Sequence, residues 1–392
     1  MRILLIHNKY QQAGGEDVAF DVEVRLLRQK GHEVDTLLFD NNDIQGLATK
    51  VKKGLEALYN FRSAHLIGEA LLRFRPDIVH VHNIFFSASP SVIRVAASHG
   101  VPVVYSMHNY RLICANALLL RDNQVCHLCV KKTFPLEGIR YKCYRGSAVE
   151  SGLVTLTTGL HKVLGTWRKK VAAYIVNTEF ARSVIHSSSL LPPDGPLHVL
   201  ANFVFDPGPG KGVGGRQDFY LFVGRIAPEK GVNVLLEVFA RLPDSRVVII
   251  GDGPDKNRLE AAYQSCKNII FAGKKEKPEV LQAMRECRAL LFPSIWYEGL
   301  PYTIMEAFGT GTPVFASNIG ALGEIIQDGF NGYHFAPGDA EGLQSRIAYF
   351  EGHPEEQERL YENARKTYVS TYHPDVHYAS LLSIYENLLN VD

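Results

Sequence analysis

No apolar run in the sequence comes near the ~18 residues that a membrane-spanning helix needs. The start, Met1-Arg-Ile-Leu-Leu-Ile-His-Asn8, turns polar too soon for a secretory signal, so the expectation is a cytoplasmic chain. Net charge is almost missing too: 42 Lys and Arg against 41 Asp and Glu leave +1, which argues against a nucleic-acid partner. No Asp-x-Asp pair occurs, so a metal held by such a pair is not expected. The first glycine-rich loop, residues 8–16, is not Gly-x-Gly-x-x-Gly, and a nicotinamide dehydrogenase loses its main support. There is no Walker A sequence either. Charged residues at 21% and hydrophobic ones at 46% exclude disordered and coiled-coil chains.

What is there suggests two domains, as 392 residues would at about 100–200 per domain. The small net charge hides a split. Residues 1–205 carry 24 Lys and Arg and 16 Asp and Glu, a net of +8, and the remainder carries 18 and 25, a net of −7. Opposite signs suggest different partners for the two parts. Between them, residues 206–216 hold Asp206-Pro-Gly-Pro-Gly-Lys-Gly-Val-Gly-Gly215, with almost nothing apolar to bury, and read as a linker.

On each side, short β-branched runs alternate with amphipathic stretches. Residues 3–6, 34–39, 78–81, 101–105 and 174–176 read as strands, and residues 16–30 as a helix stopped by Gly31. After the linker, strands are expected at 220–223, 246–250, 269–271, 289–292 and 313–316. Apolar strands without alternation, separated by helices, imply parallel sheets covered on both faces. The expected fold is α/β, two doubly wound domains, with ligands beyond the carboxyl ends of the strands in a cleft between them.

The loops carry the chemistry. Gly14 and Gly15 stand directly before a helix, where a backbone can approach an anion, or where a tight turn is simply needed. The second half opens with Phe222-Val-Gly224-Arg225-Ile-Ala-Pro-Glu-Lys230-Gly. Two cations at a strand end and helix start suit a diphosphate; a solvated surface pair is the other reading. Gly251-Asp-Gly-Pro254 reads as a turn with steric demands. Then comes Pro293-Ser-Ile-Trp-Tyr-Glu298-Gly299-Leu300-Pro301-Tyr-Thr-Ile-Met-Glu306, with Pro301 placed to begin a helix. Backbone N–H groups of residues 300–303 lie between Glu298 and Glu306, ready for phosphate, so each carboxylate could meet hydroxyls on one side of a diphosphate. A capping Glu298 and a surface Glu306 is the alternative.

These residues resemble the retaining glycosyltransferases of family 4, which have the GT-B fold: two Rossmann-like doubly wound domains facing each other across a cleft. The resemblance runs through Gly14-Gly15, Asp77-Ile-Val-His-Val-His82, His108, Gly-Arg225-x4-Lys230-Gly, Glu298-x7-Glu306 and Gly320-Ala-Leu-Gly-Glu324. It implies an acceptor-binding domain at 1–205, a nucleotide-sugar donor domain at 217–372, and a C-terminal stretch, 373–392, packing back on the first domain. It also implies catalytic roles for His108, Arg225, Lys230 and Glu298. The donor would be bound by Gly14, Gly15, Gly224, Arg225, Lys230, Glu298, Gly299, Leu300 and Glu306, with Glu306 on the ribose and His108 at the sugar. The implied reaction is a front-face sugar transfer from a nucleotide-sugar donor to a carbohydrate or lipid-linked acceptor, with no cofactor required for catalysis. A nucleotide-sugar epimerase and a non-catalytic partner subunit of the same fold are the competing readings.

Two features depart from the family. Cys114, Cys126, Cys129 and Cys143 include one Cys-x2-Cys pair, a spacing that suits a structural zinc, or else free thiols in a reducing compartment. Residues 129–170 hold nine Lys and Arg against two Glu, and Leu153, Leu156, Leu160, Val163 and Leu164 repeat at helical spacing before Trp167. That segment reads as an anionic membrane surface contact, making the protein peripheral at the inner face, or as a core helix with a basic end.

Overall fold

The computed structural model describes residues 1–9, 14–40 and 56–390; residues 10–13 of the first glycine-rich loop lie outside them. The chain divides into two compact units, one of residues 1–121, 126–201 and 377–392, the other of 122–125 and 202–376.

The first unit is a parallel six-stranded sheet of β1 (Arg2–Asn8), β2 (Glu33–Phe39), β3 (Ile78–Val81), β4 (Val103–Met107), β5 (Ala173–Val176) and β6 (Leu197–Val199), in the order β2-β1-β3-β4-β5-β6. Ile3, Leu4, Leu5 and Ile6 are all fully buried, which an unalternating apolar strand achieves only when both faces are covered. Phe20, Val24 and Leu27 of the helix Gly15–Gln29 pack on Ile3, Leu5 and Val104. Leu381, Ile384 and Tyr385 of the helix Pro374–Leu389 join the same core.

The second unit repeats the plan with β7 (Tyr220–Val223), β8 (Val247–Ile250), β9 (Ile269–Gly273), β10 (Leu290–Phe292), β11 (Val314–Ser317) and β12 (Gly332–Phe335), in the order β9-β8-β7-β10-β11-β12. All its pairs are parallel. The strand order reverses between β1 and β3 in one unit and between β7 and β10 in the other, and ligands of such sheets sit at that point.

Several differences from the sequence reading have physical causes. Residues 206–216 are no free tether but part of the second unit. Asp206 accepts bonds of 2.7 and 2.6 Å from Arg365, the Gly210 N–H donates to Thr310 at 2.8 Å, and Arg216 caps the carbonyls of Cys287 and Gly311. Polar backbone anchors the stretch, which a count of apolar residues misses. The edge strands β6 and β12 were not expected; they are three and four residues long and include polar His198 and His334. Trp167 is fully buried, its Nε1–H donating to the Thr158 carbonyl at 3.1 Å, so it does not face a membrane.

The helix Ala148–Val163 buries polar side chains beside Val154. It buries Thr155, Thr157, Thr158, His161 and Lys162, while Val149, Leu156 and Val163 are exposed. Thr157 and Thr158 are satisfied by carbonyls one turn back, and Lys162 by the Lys132 carbonyl and Ser189. Burial, with Arg168 nearby, pulls the Lys162 ammonium down to about 8.

Candidate active site

In the second unit, β7 runs out into Gly224 and Arg225, and the short turn Pro228–Lys230 follows. The neighbouring loop from β8 lies against it. A Cβ at Gly251 (φ +153°) would stand 1.8 Å from the Gly224 carbonyl oxygen, and one at Gly253 would stand 2.2 Å from that of Ile226. The steric reading of Gly251–Pro254 thus has its explanation: close backbone approach supports the end of β7.

Across the reversal point, β10 leads into Ser294, Trp296 and Glu298. Glu298 is buried, and one carboxylate oxygen, Oε1, collects three donors: Lys230 Nζ at 2.7 Å, Ser294 Oγ at 2.6 Å and Trp296 Nε1 at 2.8 Å. The Lys230 ammonium also lies 5.2 Å from the Trp296 ring, a cation–π distance. Pro301 caps the helix Tyr302–Gly309 rather than opening it, with φ −68° and ψ 125°. First-turn amides of a helix have no carbonyl partner within it and suit an anion.

Glu306, in that helix, is buried too, and its partner is one the sequence did not point to: Lys277, at the start of the helix Lys277–Glu286. Burial raises the Glu306 carboxyl and Lys277 partly offsets this. Arg225 is mostly exposed and stands 3.8 Å from Glu229. The unit therefore brings Lys230 and Glu298 into contact but gives Arg225 and Glu306 other partners. Ser294, Trp296 and Lys277 carry no motif of their own; only the fold reveals them.

In the first unit, Gly14 caps the helix Gly15–Gln29 in extended conformation, and its N–H donates to Asp17 Oδ2 at 2.8 Å. A Cβ there would meet nothing within 4 Å among the described residues, so neither φ nor local packing demands glycine. His108 follows β4 and is partly buried, its Nε2 3.0 Å from His82 Nδ1 and its Nδ1 3.4 Å from Asn177 Nδ2. Burial, with His82 beside it, holds its pKa well below the usual histidine range. A cavity of about 10 Å³, room for roughly one water, is lined by His82, Asn83, Tyr105, His108, Asn109 and Arg111.

The cysteines are neighbours without being a ligand set. No three of the Cys114, Cys126, Cys129 and Cys143 sulfurs lie within 4.8 Å of one another among the described residues. Cys114 Sγ instead donates to Asn116 Oδ1 at 2.9 Å, and burial, with Cys114 nearby, pushes the Cys129 thiol up to about 12.

Two family models match successive parts of the chain: "Glycosyltransferase Family 4" over residues 14–205 and "Glycosyl transferases group 1" over 210–367. Among curated relatives, the sulfoquinovosyl transferase SQD2 of Arabidopsis thaliana is 26% identical over 73% of this chain and 51% of its own. A phosphatidyl-myo-inositol mannosyltransferase of Mycobacterium leprae is 26% identical over 64% of this chain and 73% of its own. The match spans 43%, 51% and 38% of the first three curated relatives' lengths. Among solved structures, Anabaena Alr3699/HepE in complex with UDP-glucose superposes with a TM-score of 0.67 at 14% identity, covering 99% of this chain and 100% of that one. Paired parallel sheets, strand-end loops and successive family matches agree: the chain belongs to the family 4 glycosyltransferases and has their GT-B fold.

Proposed function

We propose that the chain transfers a hexosyl group from a nucleoside-diphosphate sugar to a hydroxyl of a carbohydrate or lipid-linked acceptor, with retention of configuration and without a catalytic metal. The observation that carries this is the Glu298 carboxylate at the β10 end, with Lys230, Ser294 and Trp296 on one oxygen beside the start of the helix Tyr302–Gly309. The diphosphate would lie over those helix amides, met by Arg225 and Lys230, with Glu306 on the ribose hydroxyls. Gly14 and Gly15, standing before the helix Gly15–Gln29, suit backbone approach to an anion. The sugar's bond to the phosphate oxygen breaks, the acceptor oxygen bonds to the same face of that carbon, and the acceptor's proton passes to the leaving phosphate. Charge then grows on the diphosphate, where fixed cations and amides stabilise it. Three donors on Oε1 favour Glu298 as a hydrogen-bonding partner of the sugar over a nucleophile.

The UDP-glucose complex of HepE and the lipid named for the M. leprae relative support this choice of donor and acceptor class. Work on surface polysaccharide, lipopolysaccharide or glycolipid follows from it. No helix among the described residues is long and apolar enough to cross a membrane. The outward face of the helix Ala148–Val163, with exposed Leu164, Arg168, Lys169 and Lys170 beyond it, suits peripheral contact with an anionic bilayer.

The test is a thermal-shift screen with UDP-, GDP-, ADP- and dTDP-sugars, then NMR of the product's anomeric centre with and without chelator. A bound donor at 100 times its Kd adds about 2.7 kcal/mol of stability. No response to any donor overturns the reading; an inverted product overturns retention, and loss of activity in chelator overturns metal independence.

A further inference from the structure

Beyond the family's donor residues, the first unit buries a chain of hydrogen bonds behind His108. Glu23, on the helix Gly15–Gln29, is buried among His80 on β3, His82 just past its end and His377 on the helix Pro374–Leu389. Glu23 Oε1 stands 2.9 Å from His80 Nδ1 and 3.2 Å from His82 Nε2, and Oε2 stands 3.3 Å from His377 Nε2. The other His80 nitrogen meets Ser106 Oγ at 2.8 Å, and Tyr385 OH stands 2.6 Å from His80 Nδ1. His7, paired with Asp17 at 2.8 Å, faces the His82 ring from β1.

We propose that Glu23 and His82 are positioning residues that lock His108 as its Nε2–H tautomer, so that its Nδ1 is a hydrogen-bond acceptor. An ionised carboxylate can only accept, so the His82 Nε2 facing it carries a proton. Neutral His82 then has a bare Nδ1. The nitrogen facing it at 3.0 Å, His108 Nε2, must hold the proton between them. The two rings differ by 17° in plane with centroids 5.2 Å apart, which keeps both nitrogens near the plane of each ring. His108 Nδ1 is left without a proton, and it is approached at 3.4 Å by Asn177 Nδ2, a donor. Burial pushes the Glu23 carboxyl up, but the three histidine nitrogens that face it hold it below the usual carboxylate range, and burial holds the His82 imidazole below the usual histidine range.

The consequence for chemistry rests on the reading of His108 as a sugar-facing group. A hydroxyl that meets Nδ1 must donate to it, and neutral His108 has no proton there to give a leaving phosphate. At that atom His108 can accept a hydrogen bond from a substrate hydroxyl but cannot serve as a proton donor.

The tautomer is read from long-range ¹⁵N–¹H correlation spectra of the full chain labelled with ¹⁵N-histidine, the His108 signals being identified by their loss in His108→Gln. The expected result is a pyrrole-type Nε2 and a pyridine-type Nδ1 for His108. A protonated Nδ1 on His108, or a doubly protonated His82, overturns the proposal without any measurement of turnover. In Glu23→Gln, the His108 signal should become a mixture of tautomers; an unchanged single tautomer overturns the role of Glu23. Calorimetric titration of the unaltered chain with UDP tests the donor reading separately. Absence of UDP binding sinks that reading and leaves the tautomer result standing.

Discussion

Lys230 Nζ lies 2.7 Å from Glu298 Oε1, so the cation expected to meet the donor's phosphate is already paired with the carboxylate expected to meet its sugar. The pair holds both groups at one strand end, and Ser294 and Trp296 keep Glu298 satisfied when Lys230 turns to phosphate. In Lys230→Ala, turnover should fall by about 10²–10³, the usual loss for one preorganised charge-stabilising donor. The thermal midpoint should barely move. Near-normal turnover would remove Lys230 from the machinery.

Glu306 should be read through the nucleotide's ribose. Glu306→Gln should weaken UDP binding about tenfold, as loss of one charged hydrogen bond does, while leaving 2′-deoxy-UDP affinity unchanged. Calorimetry with both nucleotides decides it. An equal loss for both would mean that Glu306 acts only through Lys277 and local packing.

Acid should destabilise the protein early. His7, His82, His108 and His161 all have pKa values depressed from 6.5, burial being the first cause in each. Below that value the unfolded chain takes up protons that the folded chain refuses. Their contribution is thus full above pH 6.5 and is lost as pH falls through the lowered values, by up to about 1.4 kcal/mol per group per pH unit. Glu23, depressed from 4.5, adds to the loss lower down, and Glu306, raised from 4.5, opposes it in part. The thermal midpoint should drop between pH 7.5 and 5.5, less steeply in His108→Gln. A flat profile would contradict neutral buried histidines.

Contact with a membrane should need both an apolar face and charge. The full chain should sediment with vesicles of phosphatidylcholine and phosphatidylglycerol but not with phosphatidylcholine alone. Lys169→Gln with Lys170→Gln should weaken binding about 30-fold, from about 1 kcal/mol for each cation near an anionic surface. Val163 is 66% exposed, so Val163→Glu should abolish sedimentation without lowering the thermal midpoint. Binding that ignores both changes would place the contact elsewhere.

Two glycines should part company. Gly251→Ala drives a methyl group into the Gly224 carbonyl from a strained φ of +153°, and should cost at least about 1–3 kcal/mol in urea unfolding. Gly14→Ala meets no obstacle within the described residues and should be neutral for stability while weakening UDP binding. Equal behaviour in the two assays would refute the backbone-approach role given to Gly14.

The central strands were legible because an unbroken run such as Ile3-Leu-Leu-Ile6 has one stable home, a sheet covered on both faces. Gly224, Arg225, Lys230 and Glu298 were legible as residues just past strand ends, and the reversal of strand order makes β7 and β10 neighbours. Lys277 was not, since its pairing with Glu306 is made between two helices with no spacing rule to betray it. The basic leucine-bearing helix was read with one error: it buries Thr155, Thr157 and Thr158 while Leu156 and Val163 face out, because the Thr157 and Thr158 hydroxyls bond the helix's own carbonyls and cost little to bury. Trp167 followed its polar handle to a carbonyl inside.

Tyr385 and His377, with Leu381 beside them, complete a sheet whose first strand begins at Arg2. On the ribosome, the second unit has emerged in full once Val376 is out, while the first still lacks a wall of its core. The half made first is therefore finished last, and until then Ile3 and Leu5 lack the cover that Leu381, Ile384 and Tyr385 give them.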